Sequence, residues 1–369
     1  MIYLDSGATS FHKPPSVYRA VNRALRTCAN PGRGGYDAAL EASRQVYHCR
    51  EVAAALFDCQ PEQVVLTNSC THGLNIAIRS LVKPGGRVIV SGFEHNAVTR
   101  PLHALGAKIT VAGEKLFDWQ DTLDAFDRAL KQGADAAVFT HVSNVFGYVL
   151  PVRELAQLCR MRGVPYILDA AQSAGTLPVS LTELGASFIA MPGHKGLLGP
   201  QGTGLLLCAD SAQPLLFGGT GSASIQQTMP EELPERLEAG TLNVPGYAGL
   251  AGGMAFVQRM GTQRIFQREH RQLRRCIAGL ERAGMQVFAG EHQASTVSFL
   301  PGMDCEEAAQ MLARQGIAVR AGLHCAPFAH RSAGTLETGT VRISFGYDAS
   351  DAQTEALIRA VSKIPGFRK

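Results

Sequence analysis

Lys195 lies in Met191-Pro192-Gly193-His194-Lys195-Gly196, behind the apolar run Phe188–Met191 and among five glycines between Gly193 and Gly204. The apolar run predicts a buried strand, and Pro-Gly turns the chain out of the sheet at its end. Lysine is almost never fully buried without a partner. At a strand end of an open α/β sheet it stands where such sheets bind ligands. Desolvation there lowers its pKa and makes it an amine nucleophile suited to Schiff-base chemistry. Taken alone, Gly-His-Lys-Gly reads better as a surface turn with a solvated lysine.

Asp169 changes that balance. It closes a second apolar run, Tyr166-Ile167-Leu168, and Lys195 follows 26 residues later at the end of an expected neighbouring strand. A lone aspartate there is as often a helix N-cap. The pair points to pyridoxal phosphate, whose pyridine nitrogen an aspartate keeps protonated while a lysine holds the aldehyde. Thr67-Asn68-Ser69-Cys70-Thr71-His72-Gly73, between a strand and a helix, supplies N–H groups and hydroxyls for a phosphate. A plain N-cap is the alternative there.

Nine cysteines, odd in number and scattered without a Cys-x-x-Cys pair, fit neither a disulfide framework nor a zinc site. Most read as small buried hydrophobes in a reducing cytoplasm. Cys325 differs: it sits in an expected loop beside His324, five residues after Arg320, an electropositive setting that favours thiolate.

The elements that must position these groups alternate as strand and helix. Apolar strands are expected at 64–66, 88–90, 109–111, 137–139, 166–168, 188–191 and 204–208, with helices between them, which implies a mainly parallel sheet. A long loop from Gly218 to Asn243 reads as functional. The chain, 369 residues long, is long for one core. We expect a large domain over residues 1–257, its first 13 or so packing with a smaller α+β domain over 258–369. A net charge of +4 with no basic run gives no sign of nucleic-acid binding. The stretch Met1-Ile2-Tyr3-Leu4-Asp5-Ser6, with no basic region followed by an apolar core, does not read as a signal peptide. No apolar run reaches membrane-spanning length, so a cytoplasmic location is expected.

Asp169-x-x-Gln172, Gly193-His194-Lys195, Glu94-His95-Asn96-Ala97 and Arg320-Ala-Gly-Leu-His-Cys325-Ala-Pro together resemble the cysteine desulfurases of the class V aminotransferase fold group. Tyr3-Leu4-Asp5-Ser6-Gly7-Ala8-Thr9, Ser143-Asn144-Val145-Phe146-Gly147, Glu238-Ala-Gly-Thr241-Leu-Asn243 and Val341-Arg342-Ile-Ser extend the resemblance over nearly the whole chain. It implies the fold type I architecture, with a seven-stranded mainly parallel sheet and a smaller C-terminal domain.

The resemblance also assigns roles. Lys195 would hold pyridoxal phosphate and shuttle the substrate's α-proton. Asp169 would pair with the pyridine nitrogen, Gln172 with the phenolic oxygen, and His95 would stack on the ring and serve as acid or base. Ser69, Cys70, Thr71 and His194 fall at the phosphate. Thr241 would reach the neighbouring subunit's phosphate, implying a homodimer. Arg342 and Asn144, with Arg320 nearby, would take the substrate carboxylate, a task suited to a bidentate arginine. Cys325 would attack the sulfur of bound L-cysteine, release L-alanine and keep a persulfide for an acceptor protein. Its spacing resembles the subgroup with a compact cysteine loop. Pro192 in place of a serine, Asn68–Thr71 and His72 at the phosphate loop, and one extra residue before Gly199-Pro200 depart from the better-known pattern. Other readings are a selenocysteine lyase, another C–S β-lyase on the same fold, and a low-turnover sulfur-relay scaffold.

Overall fold

The computed structural model describes residues 1–32, 34–222 and 224–367; Arg33 and Ala223, inside two of the expected loops, lie outside them. The large sheet is built from β2 (Val64–Thr67), which follows β1 (Ile2–Tyr3), α1 (Pro15–Thr27) and α2 (Asp37–Phe57). Then come α3 (Cys70–Leu81), β3 (Arg87–Ser91), α4 (Asn96–Ala104), β4 (Lys108–Ala112), α5 (Trp119–Lys131), β5 (Ala136–Thr140) and α6 (Val152–Arg162). β6 (Tyr166–Asp169), α7 (Leu181–Leu184), β7 (Phe188–Pro192) and β8 (Gly204–Cys208) complete it.

The strand order is β2-β8-β7-β6-β5-β3-β4, seven strands with β8 antiparallel to both neighbours and the other pairings parallel. β5, β6, β7 and β8 are buried at every position. Helices cover both faces, so these strands read as unbroken apolar runs.

The remainder comprises α8 (Val244–Met260), α9 (Thr262–Arg282), β9 (Gln286–Phe288), β10 (Thr296–Leu300), α10 (Cys305–Arg314), β11 (Ile317–Ala318), β12 (Arg320–Gly322), α11 (Pro327–Ser332), β13 (Thr340–Ser344) and α12 (Asp351–Val361). β12-β13-β10-β9 form an antiparallel sheet over a separate apolar cluster that includes Leu273, Phe299, Val341 and Leu357. The N-terminal segment joins this part: β1 pairs with β11, and Leu4 belongs to the same cluster. Ala326 and Ala329, just after Cys325, pack instead into the core of the large sheet. No helix among the described residues is long and apolar enough to cross a membrane.

Candidate active site

β6 and β7 are parallel neighbours with Asp169 in register with Ala190, so Asp169 and the Lys195 turn leave the sheet at one edge. Asp169 is buried; its Oδ1 accepts the Ala171 N–H at 2.9 Å and the Cys70 thiol at 3.5 Å. Burial raises its pKa, while those bonds and the nearby Lys195 charge oppose the rise. Burial lowers the pKa of Lys195, partly countered by Asp169, while Arg342 and Arg320 lower it further. These four groups therefore share one electrostatic neighbourhood.

α3 starts beside them. Ser69 caps it by accepting the His72 N–H at 3.1 Å. As in any first helical turn, the N–H groups of Cys70 and Thr71 have no intrahelical acceptor. The Cys70 thiol is committed to Asp169 and burial drives its pKa well up, so it stays a thiol. Gly204 allows this closeness, since a Cβ there would meet Ser69 C at 2.7 Å and Thr67 Oγ1 at 2.8 Å.

His95 caps α4, its Nδ1 accepting the Ala97 N–H at 3.0 Å. Burial, then Lys195 and three arginines, lower its pKa to about 4. The ring is therefore neutral with its proton on Nε2, a donor rather than a base in this arrangement. Glu94, fully buried, accepts from Ser91 Oγ and from the Thr140 N–H at 2.9 Å, and burial raises its pKa to about 8.

The N-terminal segment laces the site together. Gly7 O accepts from Gln172 Nε2 at 2.9 Å, and Thr9 Oγ1 lies 3.1 Å from His194 Nδ1. Asp5 Oδ1 accepts from Arg342 Nη2 at 2.5 Å, and Asn144 O from Nη1 at 2.9 Å. Arg342 Nε and Asn144 Oδ1 are buried without partners. Arg320 and Arg342 are cross-strand partners on β12 and β13. Like charges directly opposite destabilise a sheet unless an anion joins them. Together with the orphaned Nε–H they fit a carboxylate. Thr241 is exposed, in the strap that follows Glu238. The buried Glu238 carboxylate holds that strap by its pair of bonds to Arg50, at 2.8 and 2.6 Å.

Cys325 alone of the nine cysteines is exposed. It stands between β12 and α11 with φ 55°, after His324 with φ 51°. Its carbonyl accepts the Asn96 N–H at 2.7 Å, which fastens the loop next to His95. His324 departs from expectation: its ring is buried and its pKa falls to about 3, so it adds no positive charge to the thiol's setting. Asp5, Glu94, the Asn96 N–H and His330 went unassigned in the sequence. Asp5, Glu94 and Asn96 stand inside recognisable motifs, whereas nothing local marks His330.

The chain matches the aminotransferase class-V family over residues 2–357. It belongs to that family. A probable cysteine desulfurase of Methanothermobacter thermautotrophicus is 31% identical, over 99% of this chain and 95% of its own. A cysteine desulfurase of Synechococcus elongatus is 32% identical over 99% of this chain and 60% of its own. The apo cysteine desulfurase of Thermococcus onnurineus NA1 superposes with a TM-score of 0.89 at 30% identity, covering 98% of this chain and 94% of that one. In this class V fold the residues above fit pyridoxal phosphate: a buried acid for the ring nitrogen, an amine beside it, and a helix start for the phosphate.

Proposed function

We propose that this class V protein is a pyridoxal-phosphate-dependent cysteine desulfurase, converting L-cysteine to L-alanine and leaving the sulfur on Cys325. The observation that carries this reading is the exposed Cys325, whose carbonyl is held by the Asn96 N–H at the start of α4, next to His95, a ring that feels the charges of Lys195 and Arg342.

Asp169, Gln172 and Lys195 would hold the cofactor ring, with His95 stacked on it. The N–H groups of Cys70 and Thr71, with Ser69, Thr71 and His194, would hold its phosphate. The bound cofactor supplies an electron sink for negative charge developing on the substrate carbons. Arg342 takes the substrate carboxylate through its unpaired Nε–H, aided by Asn144 and Arg320. Lys195, its pKa lowered by burial, moves the α-proton. Cys325 thiolate attacks the substrate sulfur. The S–S bond forms as the Cβ–S bond breaks, and the electron pair left on Cβ is protonated to give alanine's methyl group. A sulfur-acceptor protein then takes the persulfide. Thr241 reaches the partner's phosphate in a homodimer, and the chain works in the cytoplasm as units 1–257 and 258–369.

The test is the visible spectrum of the purified protein before and after L-cysteine, with alanine quantified in the same tube. We expect cofactor absorbance that shifts as alanine appears. C325A should keep the absorbance and lose alanine release by on the order of 100-fold or more. Unchanged turnover in C325A would exclude the persulfide route.

A further inference from the structure

Residues 324 and 325 are consecutive non-glycine residues in the left-handed region, with φ 51° and 55°. Each such residue is strained and persists only where its surroundings over-determine it. Three contacts bear on this pair from the backbone. Asn144 Nδ2 donates to the His324 carbonyl at 2.8 Å, Asn96 N–H to the Cys325 carbonyl at 2.7 Å, and Ala326 N–H to Leu323 O at 3.0 Å.

The fourth restraint runs through the buried ring of His324. Its Nε2 lies 3.2 Å from Arg320 O, and a carbonyl only accepts, so Nε2 carries the proton and Nδ1 is a bare acceptor. Nδ1 faces His330 Nε2 at 3.5 Å, a long contact. The rings make an interplanar angle of 9° with centroids 5.7 Å apart. With the nitrogens at 3.5 Å, that separation sets the rings end to end in nearly one plane rather than face to face. His330 is fully buried, and its Nδ1 lies 2.8 Å from Thr335 Oγ1. The chain of contacts is met by Thr335 O–H donating to His330 Nδ1, His330 Nε2–H to His324 Nδ1 and His324 Nε2–H to Arg320 O. The Leu323 and Thr335 carbonyls also face the His330 ring, and the His330 carbonyl lies 3.5 Å from Thr335 Oγ1.

We propose that His330, held by the Thr335 hydroxyl, is a positioning residue for Cys325: its Nε2–H pins the His324 ring, and so the two left-handed residues that present the thiol. The inference rests on the desulfurase reading above. Burial keeps both imidazoles neutral, with pKa values near 3 for His324 and 4 for His330, so the proton pattern is stable at neutral pH.

Holoenzyme carrying H330L, H330Q or T335V tests it against three readouts. These are alanine release from L-cysteine, deuterium exchange at the Cα of L-alanine, and the rate at which iodoacetamide labels Cys325, followed by mass spectrometry. Cα exchange needs Lys195 but not the thiol. H330L should lower kcat for alanine release at least about tenfold, with KM and Cα exchange unchanged and Cys325 labelling altered. H330Q, whose amide places a donor where Nε2 stood, should recover to within about threefold, and T335V should lose about three- to tenfold. Wild-type alanine release in H330L, or parallel loss of Cα exchange, overturns the proposal. Should H330L fail to fold, wild-type behaviour of T335V overturns it. Should the wild-type protein release no alanine, the desulfurase reading falls, and equal labelling of Cys325 in wild type and T335V overturns the positioning role separately.

Discussion

Lys195 and Asp169 leave adjacent parallel strands that are buried on both faces, whereas Cys325 leaves a short link between β12 and α11. The first pair is placed by a ladder of backbone bonds and continuous apolar packing, which no single contact controls. The second is placed by a handful of polar contacts from α4, the Asn144 turn and His330, acting on a strained turn. An amine that must meet one ring atom gains from rigidity. A thiol that must first reach substrate sulfur and then surrender it gains from an exposed, separately restrained mount. Cys70 marks the contrast: it lies on the sheet side, buried against Asp169, and its raised pKa keeps it a thiol.

Three changes on the sheet side should break or sharpen this contrast. Lys195→Ala should remove both cofactor attachment and proton transfer, with a loss of about 10²–10⁴-fold in alanine release and no exchange at Cα. Retained Cα exchange in that variant would take the amine chemistry away from the β7 turn. Gly204→Ala comes next. Its Cβ would press on Ser69 and Thr67, costing roughly 1–3 kcal/mol in denaturant unfolding and loosening cofactor retention. Loop-side variants such as T335V should leave both of those unchanged. A Gly204→Ala protein that melts normally and keeps its cofactor would show the sheet side to be as forgiving as the loop.

The smallest effect concerns Glu94, whose pKa burial raises from 4.5 to about 8. Between those values the folded protein keeps a proton that the unfolded chain has released. Its contribution is therefore complete below pH 4.5 and is lost as pH rises through 8. Glu269, also raised to about 8, acts in the same direction. The buried histidines with lowered pKa values act oppositely, below their ordinary 6.5. Urea midpoints between pH 6.5 and 8 lie above the histidine range. Since Asp169 and Glu238, both raised, and Lys195 and Lys13, both lowered, also bear on that window, the share of Glu94 is read from the difference between wild type and Glu94→Gln. Glu94→Gln should flatten the fall by roughly 1–2 kcal/mol across that window. An unchanged slope would mean Glu94 is already ionised in the folded state.

Much of the sheet side was legible beforehand. Apolar runs ending in Asp169 and in Pro192-Gly193, spaced as neighbouring strands, carry a local periodic signal, and all seven strands of the large sheet were anticipated. Boundaries moved where a cap decided them: α4 begins at Asn96 rather than Val98 because the His95 ring accepts the Ala97 N–H. The loop side was legible only in its motif. Its neighbours His324 and Arg320 promised positive charge, but His324 is neutral because burial outweighs every other influence on it.

The order of elements, the strand ends holding Asp169 and Lys195, and the identity of the exposed thiol were determined by the sequence alone, since periodicity, Pro-Gly breaks and short motifs are local. Only the folded chain decided that Asp5 meets Arg342 across 337 positions and that Asn96 holds Cys325. It also decided that His330 stands behind His324. These contacts join separate sheets and remote segments, and no local pattern encodes which side chains a given strand order and packing will bring within hydrogen-bond reach.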